Sequence, residues 1–171
     1  LGVGAGNVPA YVEKSANIRQ AAHDIVMSKS FDNGMVCASE QAVIIDKEVY
    51  DEFVEEFKSY HTYFVNKKEK ALLEEFCFGA KANSKNCAGA KLNPDIVGKP
   101  ATWIAEQAGF SVPEDTNILA AECKEVGEKE PLTREKLSPV IAVLKSESRE
   151  DGVEKARQMV EFHGLGHSAA I

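Results

Sequence analysis

The sequence predicts an α/β domain in three layers, α/β/α, with a mostly parallel sheet in the middle. Three observations predict this fold class. Short runs rich in β-branched residues recur along the chain, segments with apolar residues at helical spacing separate them, and polar or small-residue stretches mark the connections. Strands that alternate with helices are typical of parallel sheets, because the return to a parallel neighbour needs a long crossover.

In the first half of the chain, apolar residues at helical spacing predict helices and a β-branched run predicts a buried strand. Ile18, Ala22 and Ile25 mark the apolar face of the first helix. Asp46, near the end of the β-branched run, predicts the N-cap of the helix that follows. In chain order the elements are a helix at residues 10–30, a strand at 41–48, a helix at 48–61 and a helix at 67–78.

The second half continues the alternation after a small-residue stretch at residues 79–93. We interpret that stretch as a loop or an insertion, because it has no periodicity. The elements that follow are a helix at residues 100–110, a strand at 117–123, a polar connection at 124–137, a strand at 139–145, a helix at 149–164 and a final strand at 168–171.

Composition excludes several classes of protein. At 171 residues the chain is about the size of one domain and long enough for a single core. Its 20 basic side chains are interleaved with 27 acidic ones, which is not the pattern of a surface that binds nucleic acid or an anionic membrane. The longest apolar runs are far shorter than the ~20 residues of a membrane span. We therefore expect a soluble, cytoplasmic protein.

The cysteines and histidines do not form metal-ligand motifs. Cys37, Cys77, Cys87 and Cys123 make no C-x-x-C pair, and the "HGLGH" segment lacks the acidic residue of an H-E-x-x-H site. We expect no metal, and free, reduced thiols, as is usual in the cytosol.

Cys37 has a different context from the other cysteines. The segment "FDNGMVCASEQ", residues 31–41, places it in a polar turn between a predicted helix and a predicted strand. Backbone amides that point at a sulfur in such a turn favour the thiolate, which is the form a nucleophile requires. A buried cysteine that packs as a small hydrophobe is the alternative, and spacing alone leaves both open.

A glycine-rich turn, "GVGAGN", stands at residues 2–7. Its glycines have G-x-G-x-G spacing, whereas a dinucleotide-binding fingerprint has the third glycine one residue later. Such a turn normally connects elements on both of its sides, and the first residue is Leu1 rather than Met. We therefore expect the chain to be a piece of a longer one.

Four motifs in the same order resemble the aldehyde dehydrogenase superfamily. The segment "GMVCASEQAVIIDKEVYDEFVEEF" resembles its active-site segment, and "VGAGNVP" falls where hydrolytic members carry "ELGGKSP", ending at the shared Pro9. "EKLSPV", residues 135–140, resembles the "E-x-F-G-P-V" motif, and "HGLGHSAAI" resembles the glycine-rich segment after it. The sequences of these motifs are most similar to those of the CoA-acylating branch, in particular the aldehyde dehydrogenase half of bifunctional aldehyde–alcohol dehydrogenases.

The resemblance implies that residues 1–171 are a catalytic domain of the aldehyde dehydrogenase type. The nucleotide-binding domain and any alcohol dehydrogenase domain would then be absent from this chain, and we expect the chain alone to be inactive. The resemblance also implies NAD and coenzyme A, a short-chain aldehyde such as acetaldehyde and its acyl-CoA as reactants, and a homo-oligomer that in the bifunctional relatives forms filaments.

The resemblance also implies a role for each site residue. Cys37 would attack the aldehyde carbon and carry a thioester, with its own backbone amide stabilising the oxyanion. Glu135 matches the glutamate that holds the nicotinamide ribose, Leu137 matches the apolar residue beside it, and Gly4 is the third candidate contact of the cofactor. His167 would act on the CoA thiol as a base. The alternatives are a solvated charge at Glu135, a core residue at Leu137 and a structural histidine at His167.

Val3 decides the fate that we expect for the thioester. It occupies the position at which hydrolytic relatives place the glutamate that activates water, and valine cannot accept a proton. The thioester should therefore persist until the thiol of CoA attacks it, and the reverse reaction would reduce acyl-CoA with NADH. Two alternatives are an acyl-phosphate reductase similar to γ-glutamyl phosphate reductase, which the "CASEQ" and "EKLSPV" wording disfavours, and a non-catalytic assembly module.

Overall fold

The sheet that organises the molecule is entirely parallel over the residues that the computed structural model describes, which are 6–79, 91–162, 165 and 167–171. In this part of the chain five strands form the sheet, in the spatial order β1-β2-β5-β4-β3. The strands are β1 (Pro9–Val12), β2 (Ala42–Asp46), β3 (Thr62–Phe64), β4 (Ile118–Cys123) and β5 (Val140–Ser146).

Helices cover both faces of this sheet. They are α1 (Ile18–Ser30), α2 (Tyr50–Ser59), α3 (Lys67–Phe78), α4 (Ala101–Ala108) and α5 (Arg149–Glu161). Successive strand residues point to opposite faces. Val43 and Val143 pack with α1 and α2, whereas Ile44 and Leu144 pack with α3, α4 and α5. The predicted three-layer α/β/α class is therefore confirmed. No helix in the described ranges is long and apolar enough to cross a membrane.

Side-chain caps fix the starts of two helices. The Asn17 side chain accepts a hydrogen bond from the Gln20 amide at the start of α1. Asn66 and Glu69 form a reciprocal capping box at the start of α3, which begins and ends where the sequence predicts. Such caps satisfy backbone amides that have no partner within the helix.

The first predicted helix is too long at its start. Residues 10–12 belong to β1, which pairs with β2, and α1 begins only after the Asn17 cap. The N-cap prediction for Asp46 is also wrong. Asp46 is the last residue of β2 and is buried, and α2 begins after Val49. Tertiary pairing overrides local propensity at both places.

Two other differences lie near the ends of predicted elements. The short strand β3 follows α2 directly and was absent from the sequence prediction. The predicted final strand at residues 168–171 is reduced to one parallel bridge between Ala170 and Ala10. Most of the predicted loop at residues 79–93 lies outside the described residues, since these stop at 79 and resume at 91.

The buried carboxylate of Asp46 joins the carboxyl ends of β1, β2 and β5. Its Oδ1 accepts hydrogen bonds of 2.7 Å from the hydroxyls of Tyr11 and Ser146, and its Oδ2 accepts one of 3.0 Å from the Lys14 amide. Burial alone would raise the pKa of Asp46, but these hydrogen bonds lower it. The Tyr11 ring is thereby fixed under α5, where a Cβ added to Gly152 would lie 2.3 Å from the ring atom Cε2.

Replacing Gly152 with alanine should destabilise the chain. Alanine normally improves a helix interior by about 1 kcal/mol relative to glycine. Here its methyl carbon would overlap the Tyr11 ring, and overpacking typically costs ~1–3 kcal/mol. We expect a net loss in the free energy of unfolding measured in urea. Val153→Ala, at an exposed position of the same helix, should change it by about 0.5 kcal/mol at most. A gain for Gly152→Ala would contradict a fixed Tyr11 ring.

Candidate active site

Three of the predicted motifs lie at one edge of the sheet. Gly6 precedes β1, Cys37 precedes β2 and Glu135 precedes β5. These three strands are neighbours and run in the same direction, so their amino ends meet at the same edge. The motifs that are far apart in the sequence are therefore brought together by the strand order.

Cys37 lies in a tight, exposed turn. A 3-10 turn at Phe31–Gly34 ends α1, with Asp32 and Asn33 in the left-handed region at φ of 49° and 50°. The chain turns again before β2, with the Ser39 amide donating to the Val36 carbonyl at 3.0 Å. The Cys37 side chain is exposed, which rules out the alternative of a buried spacer.

The other described cysteines have the opposite environment. Cys77 on α3 and Cys123 on β4 are buried, and burial raises the pKa of each thiol to about 12. A thiol with so high a pKa is a poor nucleophile near neutral pH. Cys87 lies outside the described residues.

Gly6 is the point at which the site residues converge. Its amide donates a hydrogen bond of 3.0 Å to Oε1 of Glu135. A Cβ added to Gly6 would lie 2.7 Å from Cδ2 and 2.9 Å from Nε2 of His167, and 2.9 Å from the backbone oxygen of Cys37. Glu135, His167 and Cys37 therefore surround this glycine, and a side chain there would displace the histidine ring.

The chain that follows His167 is held against β1. After His167, the Ala170 amide donates to the Pro9 carbonyl at 3.0 Å and the Tyr11 amide donates to the Ala170 carbonyl at 2.9 Å. Before it, the buried Asn7 side chain donates to the carbonyl of Phe162 at 2.8 Å, just after α5. The backbone amide of Ser168 donates a hydrogen bond of 3.0 Å to Nδ1 of His167.

The cysteine turn and the Glu135 turn touch each other through their backbones. Gly34 has φ of +69°, and a Cβ added to it would lie only 2.5 Å from the Ser138 carbonyl oxygen. The neighbouring Leu137 also has a left-handed backbone, with φ of 46°, and its carbonyl accepts from the Gly98 amide at 3.1 Å. Left-handed conformations are unfavourable for side chains such as leucine, so this turn is held by its surroundings.

Beneath these turns lies a buried network that the sequence analysis did not identify. Oε1 of Gln41 accepts hydrogen bonds from Nζ of Lys29 at 3.2 Å and from the Lys136 amide at 3.0 Å. Nε2 of Gln41 donates to the Ser39 carbonyl at 3.1 Å. One side chain therefore joins α1, the cysteine turn and the Glu135 turn.

Lys136 adds three hydrogen bonds to the network. Its Nζ donates to the carbonyls of Gln41 at 3.0 Å, and of Leu132 and Arg134 at 2.6 Å each. Burial lowers the pKa of Lys136 to about 7 and lowers the pKa of Lys29 well below its ordinary range. The burial of Lys29 could have been predicted from the sequence, because Lys29 lies one helical turn after Ile25 on the apolar face of α1.

Two candidate residues cannot be placed. Val3 and Gly4 lie outside the described residues, which begin at Gly6. Among the residues that are described, no group of three or more His, Cys, Asp or Glu side chains is arranged to hold a metal ion.

Comparison with known proteins identifies relatives over the whole chain. Residues 3–160 match the sequence model of the aldehyde dehydrogenase family. An aldehyde-alcohol dehydrogenase of Streptococcus pneumoniae serotype 4 is 94% identical over 171 residues, which are 100% of this chain and 19% of that protein. The chain thus spans about a fifth of the length of such relatives.

Solved structures share the fold described above. An acetylating aldehyde dehydrogenase from Geobacillus thermoglucosidasius is 40% identical with a TM-score of 0.90, over 98% of this chain and 35% of the other. A propionaldehyde dehydrogenase from Rhodopseudomonas palustris, with bound CoA and an acylated cysteine, is 28% identical with a TM-score of 0.83, over 99% of this chain and 36% of the other.

Limiting iodoacetamide near neutral pH should label Cys37 before Cys77 and Cys123. Cys37 is exposed, whereas the other two are buried and have raised pKa values. Peptide mass spectrometry of the labelled chain gives the order directly. In a Cys37→Ser control the label on the peptide that contains residue 37 should disappear, with Cys77 and Cys123 still protected. Equal labelling of the three thiols in the folded wild-type chain would contradict the described burial.

The free energy of unfolding should rise between about pH 7 and pH 8.5. In this interval unfolded lysines keep their protons, since their pKa is about 10.4, while Lys136 in the folded chain loses its proton above its pKa of about 7. The unfolded state then binds more protons, so stability increases with pH by up to ~1.4 kcal/mol per unit for one such lysine. Urea unfolding at several pH values measures this slope.

Two variants, Lys136→Met and the control Lys68→Met, test whether Lys136 causes the rise of the free energy of unfolding with pH. The first removes one of the two buried lysines and should reduce the slope, while Lys29, whose pKa is also lowered by burial, keeps its own contribution. The second removes an exposed lysine and should leave the slope unchanged. Above about pH 8.5 the trend should weaken, because unfolded thiols ionise there while Cys77 and Cys123 keep their protons in the folded chain. An unchanged slope in Lys136→Met would assign the effect to other groups.

Proposed function

This chain belongs to the aldehyde dehydrogenase family, and from that premise we propose that it is the cysteine-bearing catalytic domain of a CoA-acylating aldehyde dehydrogenase. The reaction is the reversible conversion of a short-chain aldehyde, most simply acetaldehyde, with CoA and NAD to acyl-CoA and NADH. The observation that carries the proposal is the meeting of exposed Cys37, Glu135 and His167 around Gly6. The nucleotide-binding domain would be a separate part of the polypeptide.

Cys37 is the nucleophile of the proposed reaction. Its thiolate attacks the aldehyde carbon, a carbon–sulfur bond forms and the carbonyl oxygen becomes an oxyanion. Bound NAD supplies the hydride acceptor. When the hydride has left, the carbon–oxygen double bond reforms and Cys37 carries the acyl group as a thioester. The exposure of Cys37 is what this first step requires, because both aldehyde and cofactor have to reach the sulfur.

Glu135, Leu137 and Gly4 are the proposed cofactor contacts on this chain. Oε1 of Glu135 already accepts the Gly6 amide, and a carboxylate has a second oxygen that can accept a hydrogen bond from a ribose hydroxyl. The Gly6 hydrogen bond fixes this carboxylate beside the glycine that also borders the Cys37 backbone oxygen. The described geometry at Glu135 therefore fits a ribose contact, while Gly4 is proposed from the sequence alone.

Transfer of the acyl group to CoA is proposed from two facts. Val3 provides no base for water at the position where hydrolytic relatives have glutamate. The Rhodopseudomonas palustris relative contains CoA together with an acylated cysteine. A base at His167 that accepts the CoA thiol proton would need a ring nitrogen that is both free and directed at the site. Assembly into a homo-oligomer stays a prediction of the family resemblance.

The proposed function predicts that turnover depends on CoA. The experiment uses a chimera, the Streptococcus pneumoniae relative with its matching segment replaced by this chain. With aldehyde and NAD, the chimera should turn over when CoA is present and stop after about one acylation per site when it is absent. General-base assistance is typically worth ~10² to 10⁴ in rate, so a site without a base for water should leave the thioester intact. NADH absorbance and product analysis give the result.

Two variants of the chimera make this test specific. Cys37→Ala should abolish both the turnover and the single acylation. Val3→Glu should shift part of the product from acyl-CoA to free acid, because a carboxylate at that position can accept a proton from water. Steady acid production by the unmodified chimera without CoA, at the rate of the CoA-dependent reaction, would show that the proposed function is wrong.

A further inference from the structure

His167 presents one particular ring nitrogen to the site. Its Nε2 and Cδ2 face the space beside Gly6, and the backbone oxygen of Cys37 borders the same space. Its Nδ1 faces the other way, toward the chain that follows, where it lies 3.0 Å from the Ser168 amide nitrogen and 3.2 Å from the Ser168 hydroxyl. Any contact between this ring and the reacting atoms therefore uses Nε2.

The hydrogen bond from Ser168 determines which nitrogen carries a proton. A backbone amide can only donate, so Nδ1 of His167 is the acceptor and has no hydrogen. In a neutral imidazole with an acceptor Nδ1, the hydrogen is on Nε2. The nitrogen on the Gly6 side of the ring, in the space that the Cys37 backbone oxygen also borders, is therefore a donor, and the nitrogen that could accept a proton is turned away from that space.

From this geometry, and resting on the proposed function, we propose that His167 stabilises the tetrahedral oxyanion of acyl transfer by donating a hydrogen bond from Nε2, and does not act as a base on the CoA thiol. His167 is then a second donor for the oxyanion, in addition to the backbone amide of Cys37. A preorganised donor of this kind acts only where negative charge develops, which is the condition for lowering the barrier.

The chemistry of acyl transfer needs no base at the moment of attack. The CoA thiol loses its proton to water before the step, as a free thiol partly does near neutral pH. The CoA thiolate then attacks the thioester carbon, a carbon–sulfur bond forms, the oxyanion collapses, and the bond to Cys37 breaks to release its thiolate. One thiolate enters and one leaves, so no proton is transferred, and the same donor serves the reverse reaction.

The position of His167 is suited to this role because it is fixed. The Ala170 hydrogen bonds hold the chain after His167 against β1, and the Asn7 hydrogen bond holds Phe162 at the end of α5. Gly6, whose amide is held by Glu135, has no side chain in the space that Nε2 and the Cys37 backbone oxygen both border. A donor has to be placed within hydrogen-bond distance before the charge develops, and the hydrogen bonds of Ser168 and Ala170 position the chain that directly follows His167.

Three substitutions at His167 in the chimera separate a donor from a base. The amide nitrogen of glutamine reaches the place of Nε2, whereas that of asparagine reaches only the place of Nδ1. His167→Gln keeps a donor but cannot accept a proton, so CoA-dependent acyl transfer should stay within about tenfold of the unmodified rate. His167→Asn and His167→Ala should lose ~10² to 10³ in rate. Acyl transfer is followed by adding CoA to the preformed acyl-enzyme.

The pH profile gives a readout that a purely structural role would not move. In His167→Gln the rate should rise with pH in parallel with the unmodified chimera, because in both it follows ionisation of the CoA thiol. A loss in His167→Gln as large as that in His167→Ala, together with the loss of an ionisation from the profile, would establish a base and overturn the proposal. Equal rates in all four proteins would also overturn it.

A direct measurement of the proton completes the test. Solid-state ¹⁵N NMR of the chimera labelled at histidine, with His167→Gln as the reference for assignment, distinguishes a protonated Nε2 from a protonated Nδ1. The proposal requires the proton on Nε2, and a proton on Nδ1 of the neutral ring overturns it. This measurement needs no turnover. Failure of CoA-dependent turnover in the unmodified chimera would instead count against the proposed function.

Discussion

The side-chain amide of Gln41 is the interaction on which the arrangement of the site depends. Its oxygen receives hydrogen bonds from Lys29 on α1 and from the Lys136 amide, and its nitrogen donates to Ser39 in the cysteine turn. The end of a glutamine side chain both accepts and donates without carrying a charge, as these three contacts require. The position of the Cys37 turn relative to the Glu135 turn is thus set by a buried amide.

The network contains two buried lysines, Lys29 and Lys136, and Gln41 links them. Burying an amine is costly unless its hydrogens have partners. Lys136 has carbonyl partners from three residues, so its ammonium form is well satisfied even though burial opposes the charge. Burial lowers the pKa of Lys136 to about 7, while the nearby Cys123, Cys77 and Glu135 side chains act in the opposite direction.

Much of the fold could be predicted from periodicity, and the site from recognisable motifs. The alternation of strands and helices is a local property of the sequence, and the α3 boundaries at Lys67 and Phe78 coincide with the prediction. Strand β1 and the role of Asp46 could not be predicted, because both depend on partners distant in sequence. Gln41 is part of the "CASEQ" motif, but its structural role could not be predicted from that motif. The role depends on hydrogen bonds with residues of α1 and of the Glu135 turn, which are distant in sequence.

The close approach of Gly34 to Ser138 has a mechanical consequence. With a Cβ position only 2.5 Å from a carbonyl oxygen, the two turns are in contact backbone to backbone and cannot slide past one another or let a solvent layer between them. The segment that carries Cys37 and the segment that carries Glu135 therefore behave as one stiff part. Substitutions of the side chains that border the two turns can change what binds there. The distance between the Cys37 turn and the Glu135 turn, in contrast, cannot be changed in small steps.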